Sequence, residues 1–228
     1  MILVKKILVY LKNYFYTRKE TALKELSDAE YYDSFIKGRK DCEIKETYNR
    51  AWEAKNFEID NYWKRANYFW AFQVASFAGY FSVYSSESFR KNTEVLYCLI
   101  CIGFITGIAW SLINKGSKAW QRNWESHVMM LEDKVTGPLY KTVSVGNTFS
   151  VSKINEIVSH FISVIWVILG VKYFMDYITF EIADGSKINL TVIVSSVFLI
   201  YFTGAMFFGY GRGRFGKRKT LFFTHNNK

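Results

Sequence analysis

Four long windows of the sequence are almost free of charge, and this constrains the fold more than any other feature. Ala66–Ser86, Val95–Asn114, Ile157–Ile178 and Ile188–Gly211 together hold 87 residues, of which only Lys172 and Asp176 are charged. The other 141 residues carry the remaining 48 of the 50 charges. At about 1.5 Å per helical residue, each window can cross a hydrocarbon layer roughly 30 Å thick. No single soluble core needs four such segments. The chain has 228 residues, is 50% hydrophobic and has a mean hydropathy near zero, so the average conceals two populations. The expected class is all-α: a polytopic membrane protein with four transmembrane helices and a helical cytoplasmic layer.

A single proline, Pro138, favours long uninterrupted helices over strands joined by turns. The three cysteines, Cys42, Cys98 and Cys101, have no metal-ligand spacing. The last two read as small buried hydrophobes. The apolar amino-terminal stretch is interrupted by Lys5, Lys6 and Lys12 and lacks the unbroken core and cleavage site of a signal peptide.

Lys and Arg placement sets the expected topology, because cytoplasmic flanks accumulate them. Residues 1–65 hold 14, residues 115–155 hold 6 and the tail from Gly211 holds 6, a total of 26. The loops Glu87–Thr93 and Thr179–Lys187 hold 2 and 1. Both termini and the central loop are therefore expected in the cytoplasm. The organisation follows: 1–65, a cytoplasmic helical arm running into the first span; 66–114, spans one and two; 115–155, a cytoplasmic amphipathic helix and loop; 156–211, spans three and four; 212–228, a basic cytoplasmic tail.

Within the arm, Ser27 is placed to cap a helix ending near Gly38. Ile44, Tyr48, Trp52, Ile59 and Tyr62 continue with near-helical spacing, and no Pro or Gly separates Lys40 from Gly79. One long helix is expected from the arm into the first span. Residues 1–16 have a basic amphipathic character that suits either the membrane surface or a docked position on the protein. Ser117–Val135 reads as a further amphipathic helix, with Trp120, Trp124, Val128, Leu131 and Val135 on one side, stopped by Gly137-Pro138.

Small residues four apart, Gly103 and Gly107, Ala75 and Gly79, Ala205 and Gly209, permit close helix approach in lipid. With Trp52, Trp63, Trp120, Trp124 and Leu131 they are the candidate packing or oligomer contacts. Lys172 and Asp176 share a helix face and read as an interfacial ion pair or, alternatively, a pore-lining pair. His127 with Glu125, Glu132 and Asp133 reads as an exposed or interface-facing polar rim, since the spacing fits no zinc motif. His160 reads as a helix–helix hydrogen-bonding residue. Lys64, Arg65, Arg212, Arg214, Lys217, Arg218 and Lys219 are placed for anionic headgroups. No phosphate loop, dinucleotide, nucleophile-elbow or paired-cysteine motif occurs, so no enzyme class gains support. No metal or other cofactor and no nucleic-acid partner are expected.

Phe57-Glu58-Ile59, Tyr62-Trp63-Lys64-Arg65-Ala66 and Tyr68-Phe69-Trp70 form the first part of a recognisable pattern. Gly116-Ser117-Lys118-Ala119-Trp120, Asn123-Trp124-Glu125, Leu131-Glu132 and Phe149-Ser150-Val151-Ser152-Lys153-Ile154-Asn155 complete it. The pattern resembles the RipA-type octameric bacterial membrane proteins over roughly residues 40–175. The resemblance implies a bacterial inner-membrane protein that assembles as a homo-octamer and has no established enzymatic activity. The expected function is a non-enzymatic homo-oligomeric scaffold or stress-related membrane factor. Two competing classes are a channel or transporter with an axis lined by Lys172, Asp176 or Gln73, and a membrane-tethered module that recruits a cytoplasmic partner.

Overall fold

The computed structural model describes residues 26–86, 93–143, 149–177, 190–208 and 211. Among these residues all regular structure is helical, with no strand. The helices are α1 (Asp28–Phe35), α2 (Asp41–Ser85), α3 (Thr93–Leu131), α4 (Val151–Tyr177) and α5 (Leu190–Phe208), with a 3-10 turn at Glu132–Lys134 after α3. Residues 1–16, the loops at 87–92 and 179–187, and Arg212, Arg214, Lys217, Arg218 and Lys219 lie outside the described residues.

α1 starts at a capping box in which Ser27 Oγ accepts the Glu30 N–H and Glu30 Oε2 accepts the Ser27 N–H. Gly38, at φ 71°, takes the left-handed conformation that ends this turn. α2 then runs for 45 residues without interruption. Its buried positions are Ile44, Tyr48, Ala51, Lys55, Tyr62, Ala66, Gln73, Ser76 and Tyr80, spaced at three, four or seven residues as a single helical stripe requires. The stripe passes through Lys55 rather than Trp52. The tryptophan stands on its flank, and its ring covers the lysine.

α3 joins the second charge-free window and the amphipathic segment from Ser117 in one continuous helix. It passes through Lys115-Gly116-Ser117 and ends at Leu131, because one interior glycine weakens a helix by only about 1 kcal/mol relative to alanine. Gly137, at φ 69°, then turns the chain ahead of Pro138.

Three helices are long and apolar enough to cross a membrane: Thr93–Lys134, Val151–Asp176 and Leu190–Phe207. The fourth charge-free window is helical within α2, but it carries Asn67, Tyr68, Gln73, Ser76, Tyr80, Ser82 and Tyr84. Absence of charge is not apolarity, and by hydropathy this segment falls short.

The chain divides into two compact units. Among the described residues, Arg65–Asn114 and those from Ser150 to Gly211 belong to the first, and the segments ending at Lys64 and spanning Lys115–Phe149 belong to the second. The first has a core of Tyr80, Leu96, Tyr97, Ile100, Trp110, Ile162, Trp166, Tyr173 and Val192. The second has its own, of Tyr31, Ile36, Ile44, Tyr48, Ala51, Val128 and Leu131.

Candidate functional site

In the first unit, Gly103 and Gly107 create the space on which the helix contacts depend. A Cβ built on Gly103 would stand 2.1 Å from Trp166 Cε2, and one on Gly107 would stand 2.7 Å from Ser163 Oγ. Both glycines are thus occupied by α4 of their own chain. Trp166 is fully buried, stacks on Phe77 with 4.3 Å between ring centres, and donates its indole N–H to Gln73 Oε1 at 2.7 Å. Gln73 Nε2 in turn donates to the Gly103 carbonyl at 3.1 Å and to Thr106 Oγ1 at 2.9 Å. One amide therefore ties α2, α3 and α4 together, and its polar capacity is spent within the chain. Gln73 is 1% exposed, whereas the conducting reading places it on a water-accessible axis.

The polar row continues along the same helices. Asn155, Ser159 and Ser163 recur every fourth residue on the buried side of α4. Asn155 Nδ2 donates to Asn114 Oδ1 at 3.3 Å, Ser163 Oγ donates to the Ser159 carbonyl at 2.9 Å, and Ser111 Oγ lies 3.2 Å from His160 Nε2. Tyr97 OH and Ser196 Oγ, 2.6 Å apart, connect α3 to α5. Gly79 is held less tightly: a Cβ added there would stand 3.3 Å from Leu99 Cδ2. Lys172 Nζ and Asp176 Oδ2 pair at 2.7 Å on one exposed face of α4.

In the second unit, α2 and α3 bury charge among rings. Lys55 is 5% exposed, and its Nζ lies 3.3 Å from the Trp52 ring centre and 4.9 Å from that of Tyr140. Burial lowers the Lys55 pKa, and attraction to Glu125 opposes the shift. The Tyr140 hydroxyl is pushed up to about 12, first by burial and then by the negative charges of Glu125 and Glu132. Gln121 holds Glu125 in place by donating to its Oε1 at 2.7 Å.

Glu132 departs from the exposed rim in which its sequence neighbours place it. It is fully buried, and its two carboxylate oxygens accept the Tyr140 N–H at 2.5 Å and the Lys141 N–H at 2.9 Å. The 3-10 turn after α3 brings the side chain under the returning loop, where it satisfies two backbone donors. His127 is half-buried beside rings, with Nδ1 2.8 Å from Tyr31 OH and its imidazole near Phe35 and Trp124. Asp133 is exposed and pairs with Lys141. Leu131 is a core residue, while Trp63 and Trp120 are 43% and 47% exposed. Lys64 is exposed and Arg65 half-buried. Among the described residues, no three His, Cys, Asp or Glu side chains are grouped to hold a metal ion.

Lys55 and Glu132 carry no sequence signal of their own beyond position. Lys55 falls four residues after Ala51 in the buried register, and Glu132 directly follows the last helical turn.

A family model for the octameric membrane protein family matches residues 45–175, more than half of the chain. The chain belongs to this family. The curated proteins and the solved structures returned no match. Within the octameric membrane protein family, the matched region includes Lys55, Gln73, Gly103, Glu132 and Trp166, so both buried arrangements fall inside it. α1 and α5 fall outside. Membership makes the chain a membrane protein of an oligomeric assembly.

Proposed function

We propose that the chain is a non-enzymatic structural subunit of a homo-octamer in a bacterial inner membrane, acting as a scaffold or stress-related membrane factor. Family membership carries this reading. Its packing supports it: of 34 exposed large hydrophobic side chains among the described residues, 26 lie in the first unit. That surface is what lipid and neighbouring subunits cover. In this reading the Ala66–Ser85 part of α2 is the additional span, giving four. Lys64, Arg65 and the basic tail lie at anionic headgroups of the cytoplasmic leaflet, where positive charge also fixes topology. No cofactor or nucleic acid takes part.

The test is the mass of the parent protein in lipid nanodiscs. Eight copies of the 26.7 kDa chain are expected. A monomeric or dimeric protein mass removes the reading. Topology is checked separately at Cys42, which is exposed: a membrane-impermeant maleimide should label it only after the cells are permeabilised. Labelling in intact spheroplasts reverses the orientation.

A further inference from the structure

We propose that the subunit seam runs between two different faces of the second unit, the acidic Phe57 side of α2 in one copy and the Gly116–Ala119 notch of α3 in the next. The inference rests on the homo-oligomeric reading above and assigns its contact surface. A closed ring of identical subunits joins non-identical faces head to tail, so two complementary surfaces are required.

The first surface is Glu53, Phe57 and Asp60, spaced four and three residues apart on the side of α2 away from its buried stripe. All three are exposed, Phe57 at 63%. The second surface is the outward side of α3 around Gly116, Ala119 and Arg122. No described atom comes within 4 Å of a Cβ built on Gly116, whereas Gly103 and Gly107 of the same helix are filled by their own chain. Glycine is a poor choice for an open helical position unless another backbone or ring approaches there. Glu53, Asp60 and Arg122 have no ion-pair partner among the described residues. Opposite charge across a contact fixes register and excludes wrong pairings. Phe57 of one copy fits the notch that Gly116 leaves open in its neighbour, with Arg122 set against the flanking carboxylates.

The experiment measures assembly mass in nanodiscs, with helix content followed by circular dichroism. Gly116→Leu should lose the parental mass while keeping its helix content. Arg122→Glu should do the same, and a chain combining Arg122→Glu with Glu53→Arg and Asp60→Arg should regain the assembly. Parental mass in both Gly116→Leu and Arg122→Glu overturns the seam and leaves the assembly intact. Failure of the combined reversal to recover overturns the charge pairing. A monomeric parent overturns the assembly reading and the seam together.

Discussion

Both units bury rings and aliphatics, but the polar groups buried with them differ: in the unit drawn from nearly charge-free sequence they are all uncharged amides and hydroxyls, whereas the unit drawn from charged sequence also buries Lys55 and Glu132. Of the eleven buried polar or charged side chains among the described residues, seven lie in the first unit: Gln73, Ser76, Ser111, Asn114, Asn155, Ser159 and Ser163. Where the surroundings are as apolar as a leucine side chain, burial of leucine gives no drive to associate. Small residues and hydrogen bonds must then specify which helices meet. In the proposed arrangement the second unit faces water, which supplies the drive that gathers Tyr31, Ile44, Tyr48, Val128 and Leu131 inside. The charges buried there, Lys55 and Glu132, are each engaged by specific partners.

The contrast breaks most readily at Gly103. Valine there drives side-chain atoms into the rigid Trp166 ring, and overpacking of this kind should cost about 3 kcal/mol or more. Thermal unfolding in detergent, read by tryptophan fluorescence, measures it; a parental melting curve would mean that the two helices do not depend on this contact. Gly204→Ala in α5 is the control, since an added Cβ there meets no neighbouring side chain or helix and should stabilise the helix by up to about 1 kcal/mol. In the second unit the corresponding weak point is Glu132. Alanine there orphans the Tyr140 and Lys141 amides, at a cost of about 2 kcal/mol. Amide hydrogen exchange at these two positions should accelerate, and unchanged protection would show that the carboxylate is dispensable.

Helix existence is legible in the sequence because it follows from periodicity, from the missing prolines and from the capping box at Ser27. The Gly103 and Gly107 spacing identifies a contact surface. It does not identify its occupant, because spacing records where a helix is narrow and not what fills the gap. Trp166 answers that only once α4 is in place. Counting charges fails to separate Ala66–Ser85 from the three more apolar helices, since tyrosine, serine and glutamine are uncharged yet lower hydropathy. Trp52 and Lys55 illustrate a second limit. Hydrophobicity assigns the tryptophan to the core, but a lysine stem buries well when rings receive its ammonium group, and register alone places Lys55 inside. Glu132 stays hidden because its partners are backbone amides eight and nine residues away, which no side-chain pattern encodes.

Gln73→Leu sharpens the comparison at smaller magnitude. It removes the acceptor of the Trp166 indole and the bonds to Gly103 and Thr106. Side-chain hydrogen bonds between membrane helices average only about 0.6 kcal/mol, with a maximum near 1.7, so a loss of about 1 kcal/mol is expected, less than at Glu132. A larger loss at Gln73 than at Glu132 would invert the proposed ranking of the two units.

An alkaline titration acts on the second unit. Tyr140 is raised from 10 to about 12, so the fold favours its neutral form. The stability this provides is complete below pH 10 and disappears as pH rises through about 12. Lys55 has the opposite sign: its folded pKa lies below 10.5, and the cost of its buried charge is relieved as pH rises towards that value. Tyr140→Phe should therefore flatten the loss between pH 10 and 12 in chemical denaturation while keeping the rise below it. An equally steep loss in the variant would place its origin elsewhere.

The smallest effect belongs to Lys172 and Asp176, and its diagnostic is non-additivity. Their 2.7 Å contact lies on an exposed helix face, with side chains 48% and 39% accessible, unlike Lys55 under its rings. Each neutralises the other near the end of an apolar helix, where a lone charge is poorly placed. Lys172→Met or Asp176→Asn alone leaves that lone charge, while the double replacement leaves none. The double variant should thus be more stable than either single one and close to the parent, a coupling that a thermodynamic cycle measures directly. Additive losses would mean that the two groups act independently and that the pair is no neutral unit.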